Sequence, residues 1–142
     1  MRYWDSSAIV VLLVRQTASP RMECLLQDDP ELFTWWGTPV ECCSAIMRLA
    51  REGTLDRQGL RAAQDRLTEL RQGWDEVLPG EACRRTAERL LRVHPLCAAD
   101  AMQLAAALVA ADHEPERLDV VCLDQRLADA ARREGFTVLE GA

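Results

Sequence analysis

The chain has 142 residues, 49% hydrophobic and 28% charged, a composition typical of one globular domain spanning residues 1–142. Lysine and arginine total 17 against 23 acidic residues, so the net charge is −6 and a generic basic nucleic-acid binder is excluded. All 17 cations are arginine, because the sequence contains no lysine. The missing lysine also excludes P-loop nucleotide hydrolases, response-regulator receivers and class A β-lactamases.

No apolar segment approaches the roughly 20 residues that a membrane-spanning helix needs. The longest apolar run, AIVVLLV, has 7 residues and lacks the basic flank of a signal peptide. We therefore expect no membrane association and a cytoplasmic location. The 6 cysteines contain no C-x-x-C pair and mostly fall within apolar patterns, so reduced and packed thiols are expected. The two histidines, His94 and His113, have no zinc-ligand spacing and are expected at helix ends or in loops.

Five segments have the composition of strands and seven have helical patterns. In chain order the strand candidates are MRYW, ELFTWW, WDEVL, DVVCL and FTVLE. The helix candidates cover residues 8–14, 21–27, 38–52, 57–72, 81–93, 98–112 and 125–134. Because strands alternate with helices, the sequence predicts an α/β fold with a mainly parallel five-stranded sheet and helices on both faces. Ligands of such a sheet bind beyond the carboxyl ends of its strands.

Four acidic residues lie where this topology brings distant segments together. Asp5 ends the first strand, Asp124 ends the fourth, and Glu41 lies in the first turn of the helix that follows the second strand. Asp100 opens the helix that leads into the fourth strand, so that helix must begin at the edge where the strand finishes. All four carboxylates are therefore expected at the carboxyl edge of the sheet.

Asp100 is unusual because it begins the otherwise apolar segment DAMQLAAALVAAD. At 3.6 residues per turn it shares a core-facing stripe with Leu104 and Leu108. A buried carboxylate is costly unless a partner or a cation compensates its charge. A helix cap is the alternative, because Asp100 with Gln103 three residues later resembles a capping box.

The other three acids also have structural explanations. Asp5 fits a strand-end turn closed through the two serines that follow it. Glu41 fits the capping box of a helix whose cap is Thr38. Asp124 fits the start of its helix, and Asp119, at the opposite end of the same strand, is a competing acid for the site.

Carboxylates gathered at one edge repel one another unless a divalent cation neutralises them. Oxygen ligands and the near absence of histidine favour Mg²⁺ or Mn²⁺ over zinc. Such ions on carboxylates are the usual apparatus for hydrolysing phosphodiesters. Asp5, Glu41, Asp100 and Asp124 are therefore candidate metal ligands and candidate catalytic residues.

Four blocks in order, YWDSSAIVVLL, TPVECCSAIMRL, HPLCAADAMQLAAALVAA and VVCLDQRLADAARREGF, resemble the four acidic blocks of the PIN-domain ribonucleases. The resemblance covers nearly the whole chain and is closest to VapC-type toxins of VapBC toxin–antitoxin pairs. It implies a three-layer α/β/α fold, Mg²⁺- or Mn²⁺-dependent endonucleolytic cleavage of RNA, a homodimer, and inhibition by a cognate antitoxin. By position, the family's acidic quartet falls on the four acids above and its hydroxyl residue falls on Ser6. Gln103 stands where many relatives have a histidine.

Several other side chains are weaker candidates for contact with RNA. Trp35 and Trp36 are able to stack on unpaired bases, although alternation at a strand end places at least one of them in the core or a dimer contact. Arg126, close behind Asp124, is the first arginine to test. A further set on one predicted helix fits a solvated face better than a phosphate grip, namely Arg84, Arg85, Arg89 and Arg92.

The leading hypothesis is a metal-dependent endoribonuclease in which Asp5 and Asp100 hold the principal ion. The alternative is a catalytically weak PIN-fold protein that acts mainly by binding an antitoxin through its acidic surface. A phosphatase of the haloacid dehalogenase type fits less well, because that class needs a D-x-D motif and Asp5 is followed by two serines.

Overall fold

The computed structural model describes residues 1–141, in which five strands and seven α-helices alternate. The strands are β1 (Arg2–Trp4), β2 (Leu32–Trp35), β3 (Asp75–Val77), β4 (Asp119–Val121) and β5 (Val138–Leu139). The helices are α1 (Ser6–Leu13), α2 (Ser19–Asp28), α3 (Thr38–Arg51), α4 (Arg57–Gly73), α5 (Glu81–Val93), α6 (Ala98–Ala110) and α7 (Gln125–Arg133). A short 3₁₀ helix, Pro115–Arg117, precedes β4.

All neighbouring strands pair in parallel, in the order β3-β2-β1-β4-β5. The chain moves outward from β1 through β2 to β3, returns to β4 beside β1, and then continues to β5. Right-handed crossovers require helices on opposite faces for these two directions. The direction therefore reverses between β1 and β4, and this is the position where open α/β sheets bind ligands.

Two hydrophobic clusters on opposite faces of the sheet define the three layers. One cluster joins the sheet to α1, α2, α3 and α4, and the other joins it to α5, α6 and α7. Successive strand residues alternate between the clusters, as the period of a strand requires: Tyr3 packs with the second and Trp4 with the first. The predicted three-layer α/β/α fold with a five-stranded parallel sheet is thus confirmed, and no strand among residues 1–141 is antiparallel.

The predicted elements are all present, with different ends. Helix α5 has the bounds predicted for it, whereas every strand is shorter than its predicted segment. Strand β4, for example, ends at Val121, three residues before Asp124. The length of β4 matches its pairing with β1, which covers three residues and ends at Val121.

The tandem tryptophans separate as their alternation predicts. Trp35 is buried in the core, and Trp36 is 53% exposed. The following Gly37 is needed for close packing, since a Cβ atom there would lie 2.5 Å from Nε1 of Trp35. Trp35 is therefore a structural residue, and only Trp36 presents an aromatic surface to solvent.

The cysteines within residues 1–141 are all free, as predicted, but fewer of them are buried than the sequence pattern predicted. Three are buried and three are exposed, the exposed ones being Cys24, Cys43 and Cys97. Cys24 and Cys43 lie on exposed faces of α2 and α3, and Cys97 precedes α6. No helix within residues 1–141 is both long and apolar enough to cross a lipid bilayer.

An ionic cluster ties the end of α5 to the end of α7. Nε2 of His94, a residue that caps α5, lies 2.8 Å from Oε2 of Glu134, and Arg89 donates to Oε1 over 2.6 Å. Burial alone would raise the pKa of Glu134, but the hydrogen bonds and charges of Arg89 and His94 lower it below its usual range. We call Arg89, His94 and Glu134 the Glu134 cluster.

Candidate functional site: a carboxylate cavity at the sheet edge

The carboxyl ends of β1 and β4 open into a cavity of about 330 Å³. The four acids that the topology predicts at this edge, Asp5, Glu41, Asp100 and Asp124, all line it. They come from four segments separated by up to about 120 residues of sequence. We call this the carboxylate cavity. Its other polar lining residues are Ser6, Ser7, Gln16 and Arg48.

Asp5 lies deepest, between the two central strands. Its backbone N–H donates to the carbonyl of Val121, and the residue is 3% exposed. Its carboxylate caps α1 by accepting from the backbone N–H and the hydroxyl of Ser7, and the thiol of Cys122 lies 3.7 Å from Oδ2. The strand-end turn anticipated from the sequence is therefore present, and the same carboxylate reaches the cavity.

Glu41 is held through both of its carboxylate oxygens. Nε2 of Gln103 donates to Oε2 over 2.7 Å, and the hydroxyl of Ser6 donates to Oε1 over 3.4 Å. The capping-box explanation for Glu41 is wrong, because Gly37 and not Thr38 precedes the helix and no side chain caps it. Thr38 is instead the first residue of α3, and its hydroxyl is buried against Gln103.

Asp100 occupies the third position of α6 and is half-buried. The cap explanation is wrong here too, because the residue that precedes the helix is Cys97. The core-facing stripe behind Asp100 is as predicted, with Leu104 and Leu108 buried. The carboxylate therefore lies in the first helical turn, whose free N–H groups favour a negative charge.

Asp124 caps α7, since its Oδ1 accepts from the backbone N–H of Leu127 over 2.9 Å. It is exposed at the rim of the cavity, and the competing acid Asp119 begins β4 at the opposite end of that strand. The helix-start explanation thus holds for Asp124 at the same time as its place in the cavity lining.

The cavity makes negative charge costly. Burial, followed by the charges of Asp5 and Asp100, raises the pKa of Glu41 to about 7 against the hydrogen bonds from Gln103 and Ser6. Burial also raises the pKa of Asp5, with a contribution from Asp100. The pKa of Asp100 is raised by burial and by Asp124. These three carboxyls accordingly act on one another through space.

The donor chemistry of the cavity fits a hard divalent cation, since every acidic group is a carboxylate and no imidazole lines it. As the side chains are placed, however, no three carboxylate, thiol or imidazole groups within residues 1–141 converge closely enough to hold a metal ion. Two of the acids are engaged elsewhere: Asp5 and Asp124 each cap a helix. A closed set of ligands therefore requires side-chain rotation within the cavity.

Two arginines flank the acids without neutralising them. Arg48 on α3 lines the cavity, and the charge of Arg126 on α7 acts on Asp100. Neither forms an ion pair within residues 1–141. The arginines of α5 are exposed, as a solvated face predicts, and two of them bind acids: Arg84 pairs with Glu81 and Arg89 with Glu134.

Sequence reasoning missed two side chains of this region. Gln103 was expected to take part in a cap and instead binds Glu41. Arg48 was not singled out, although it lies seven residues after Glu41, two helical turns along the same face. The helical spacing could have indicated Arg48, whereas the partner of Gln103 lies 62 residues away and left no local signal.

No protein-family model matches this chain, and no curated protein matches it at a significant level. Among solved structures, the chain is similar to the crystal structure of FitAcB from Neisseria gonorrhoeae, with a TM-score of 0.66 and 17% sequence identity. The alignment covers 98% of this chain and 96% of that chain. At this level of identity the likeness shows a shared fold alone. With the parallel sheet between two helical layers, it identifies the three-layer α/β/α fold as PIN-like.

Proposed function

We propose that this protein is a Mg²⁺- or Mn²⁺-dependent endoribonuclease, and specifically the toxin of a toxin–antitoxin pair related to the VapC type. The observation that carries the proposal is that four carboxylates from distant segments line one cavity at the switch point of a parallel sheet. The PIN-like fold and the order of the four acidic blocks support it.

Asp5 and Asp100 would hold the principal cation, and Glu41 and Asp124 would act through bound waters or on a second ion. When bound, the cation supplies an activated water and stabilises charge on the attacked phosphate and the leaving oxygen. Burial and, after it, the repulsion between the carboxylates raise their pKa values, and a bound cation would relieve that repulsion.

Two residues of the chain would orient the attacking water and accept its proton. Without a cation the pKa of Glu41 is about 7, and a bound cation would lower it, so Glu41 would be ionised near neutral pH and able to accept a proton at a carboxylate oxygen. The hydroxyl of Ser6 lies beside it and is suited to position the same water. In-line attack by water would leave a 5′-phosphate and a 3′-hydroxyl, as the family resemblance implies.

Arg48 and Arg126 are suited to bind substrate phosphates. Both are exposed, both are free of acidic partners among residues 1–141, and they approach the cavity from α3 and α7. A strand of RNA that crosses the carboxylates between them would place its scissile phosphate over the acids and its flanking phosphates on guanidinium groups.

The partners in this proposal are a cognate antitoxin and a second copy of the chain, in the cytoplasm. An acidic cavity and a net charge of −6 suit an antitoxin segment that inserts a cationic side chain among the carboxylates.

A direct test compares RNA cleavage by the wild-type protein, Asp100→Asn and Asp119→Asn. Asp119 is a matched control because it is an aspartate at the other end of β4, away from the cavity. We expect Mg²⁺-dependent cutting that EDTA stops, a loss of at least 10³-fold in Asp100→Asn, and full activity in Asp119→Asn. Retained Mg²⁺-dependent cutting by Asp100→Asn would refute the assignment.

A second candidate function is antitoxin binding without appreciable catalysis. It is favoured by the finding that no three ligand groups within residues 1–141 are already gathered for a metal. A purified protein that binds its antitoxin, leaves RNA intact with Mg²⁺ or Mn²⁺, and causes no growth arrest when expressed alone would support this candidate over the nuclease.

A further inference from the structure

The side chain of Gln103 is fully buried, and it makes three hydrogen bonds at the floor of the carboxylate cavity. Its Nε2 donates to Oε2 of Glu41 over 2.7 Å and to the hydroxyl of Thr38 over 2.9 Å. Its Oε1 accepts from the hydroxyl of Tyr3 over 2.6 Å. Both amide hydrogens and the amide oxygen are therefore engaged.

The surroundings fix which way round this amide lies. The hydroxyl of Thr34 donates to the carbonyl of Trp4 over 2.7 Å and lies 2.8 Å from the hydroxyl of Thr38. Because Thr34 has a single hydrogen and the carbonyl can only accept, Thr38 donates to Thr34 and is left to accept from Gln103. A flipped amide would turn its oxygen toward Glu41 and leave a buried acceptor without a donor.

This network joins the two helical layers across the edge of the sheet. Gln103 belongs to α6, whereas Glu41 and Thr38 belong to α3 on the other face. Tyr3, on β1 between the layers, holds the amide from below. Tyr3, Thr38 and Gln103 are buried and hydrogen-bonded, whereas Glu41 is half-buried, so the position of its carboxylate depends on groups held in the core.

We propose that Gln103 is a positioning residue for Glu41: its amide, oriented by Tyr3 and the Thr34–Thr38 pair, fixes Oε2 and presents the carboxylate to the cavity. The inference rests on the proposed function, in which Glu41 works on the cation and the attacking water. Holding such a group in place before binding lowers the reorganisation that catalysis requires. Gln103 itself touches neither substrate nor cation.

The test compares Gln103→Met, which keeps the length of the side chain but removes its hydrogen bonds, with Gln125→Met. Gln125 is a matched control because it also donates to a glutamate, Glu140, over 3.1 Å, but on the exposed surface. We expect Gln103→Met to weaken Mn²⁺ binding at least threefold in calorimetry and to lower kcat at least tenfold. KM for RNA should stay within twofold, and Gln125→Met should match the wild type in every measurement. Unchanged Mn²⁺ affinity and kcat in folded Gln103→Met would overturn the proposal.

A double-mutant cycle separates positioning from general damage. If Gln103 acts through Glu41, Gln103→Met has no further effect on Mn²⁺ affinity once Glu41→Gln is present. An equal loss in both backgrounds would contradict the proposal. Because Gln103→Met leaves the Tyr3 hydroxyl without an acceptor, the same cycle in a Tyr3→Phe background removes both partners and serves if the single variant folds poorly.

The contact can also be tested when the nuclease proposal fails. If the wild-type protein neither binds Mn²⁺ nor cuts RNA, the proposed function is wrong, and NMR hydrogen exchange still reports on the Gln103 amide. One side-chain amide proton should be protected in the wild type and in Asp100→Asn but exchange rapidly in Glu41→Ala. Equal protection in Glu41→Ala would show that Gln103 does not hold Glu41.

Discussion

The carboxylate cavity and the Glu134 cluster place acidic groups in two very different settings. In the cavity, burial and mutual repulsion raise the pKa values of three carboxyls, and no arginine pairs with them. In the cluster, Arg89 and His94 bind both oxygens of one glutamate and lower its pKa. The first arrangement costs folding free energy and the second stabilises the fold. An arrangement that weakens the fold in this way is typical of a functional site.

The largest expected effect distinguishes the two roles of Asp5. Asp5→Asn keeps the cap of α1, since asparagine is also a favourable N-cap, but it removes the charge. We expect RNA cleavage to fall at least 10³-fold, while the melting temperature is retained or rises because a buried charge is removed. Asp5→Ala should lose the same activity and, in addition, about 1 kcal/mol of stability with the cap. Cleavage rates and thermal melts measure the two effects, and substantial activity in Asp5→Asn would assign the residue to structure alone.

The next effect is a gain in stability. Because the pKa of Glu41 is raised to about 7, its folded state binds a proton more tightly than the unfolded chain does. The contribution of Glu41 to wild-type stability should therefore be greatest below about pH 4.5 and should decline as the pH rises through about 7. Glu41→Gln removes that decline. The rise in the pKa from 4.5 to about 7 corresponds to about 3 kcal/mol, and the partial exposure of Glu41 reduces this, so urea unfolding at pH 8 without metal should show a gain of about 2 kcal/mol. A loss of stability in Glu41→Gln would show that the charge of Glu41 does not cost folding free energy.

A smaller effect of opposite sign is expected in the Glu134 cluster. Glu134→Gln removes the charge that Arg89 and His94 bind, and we expect a loss of about 1 kcal/mol at pH 7. Since the folded pKa is lowered, this contribution is present above the unfolded pKa of glutamate and is lost as the pH falls through the folded value. Urea unfolding at pH 7 and pH 3 checks both signs, and RNA cleavage should be unchanged. If Glu134→Gln is as stable as the wild type at pH 7, the Glu134 cluster does not stabilise the fold.

The smallest effect is expected at an exposed ion pair. Arg84 and Glu81 lie 3.3 Å apart one turn along α5, with both side chains well exposed to solvent. Solvent and salt screen such a pair, so Arg84→Ala should leave the unfolding midpoint and the cleavage rate unchanged. A clear loss of cleavage would instead show that Arg84 contacts the substrate and would contradict its interpretation as part of a solvated face.

The sequence predicted the fold and the gathering of the acids because both follow from long-range rules of topology. Parallel strands end at the same edge of the sheet, and a helix that leads into a strand begins at that edge. Asp5 and Asp100 could therefore be placed together although 95 residues separate them. Local capping rules were less reliable. Thr38 and Asp100 both match cap patterns, but the residues that precede their helices, Gly37 and Cys97, lie one and three residues before the predicted caps.

The interactions that complete the site could not be predicted, because they depend on which side chains meet in three dimensions. Gln103 reaches Glu41 only once α6 and α3 flank the same edge, and His94 reaches Glu134 across 40 residues. Whether four acids merely share a cavity or form a ligand set depends on side-chain rotations that the chain order does not specify.

Binding of Mn²⁺ measured by calorimetry tests the central claim most directly, because it asks whether the carboxylate cavity holds a cation. We expect saturable binding to the wild type, to Asp119→Asn and to Glu134→Gln, with loss of binding in Asp100→Asn. Binding of equal affinity in Asp100→Asn, or no saturable binding to the wild type, would contradict this claim.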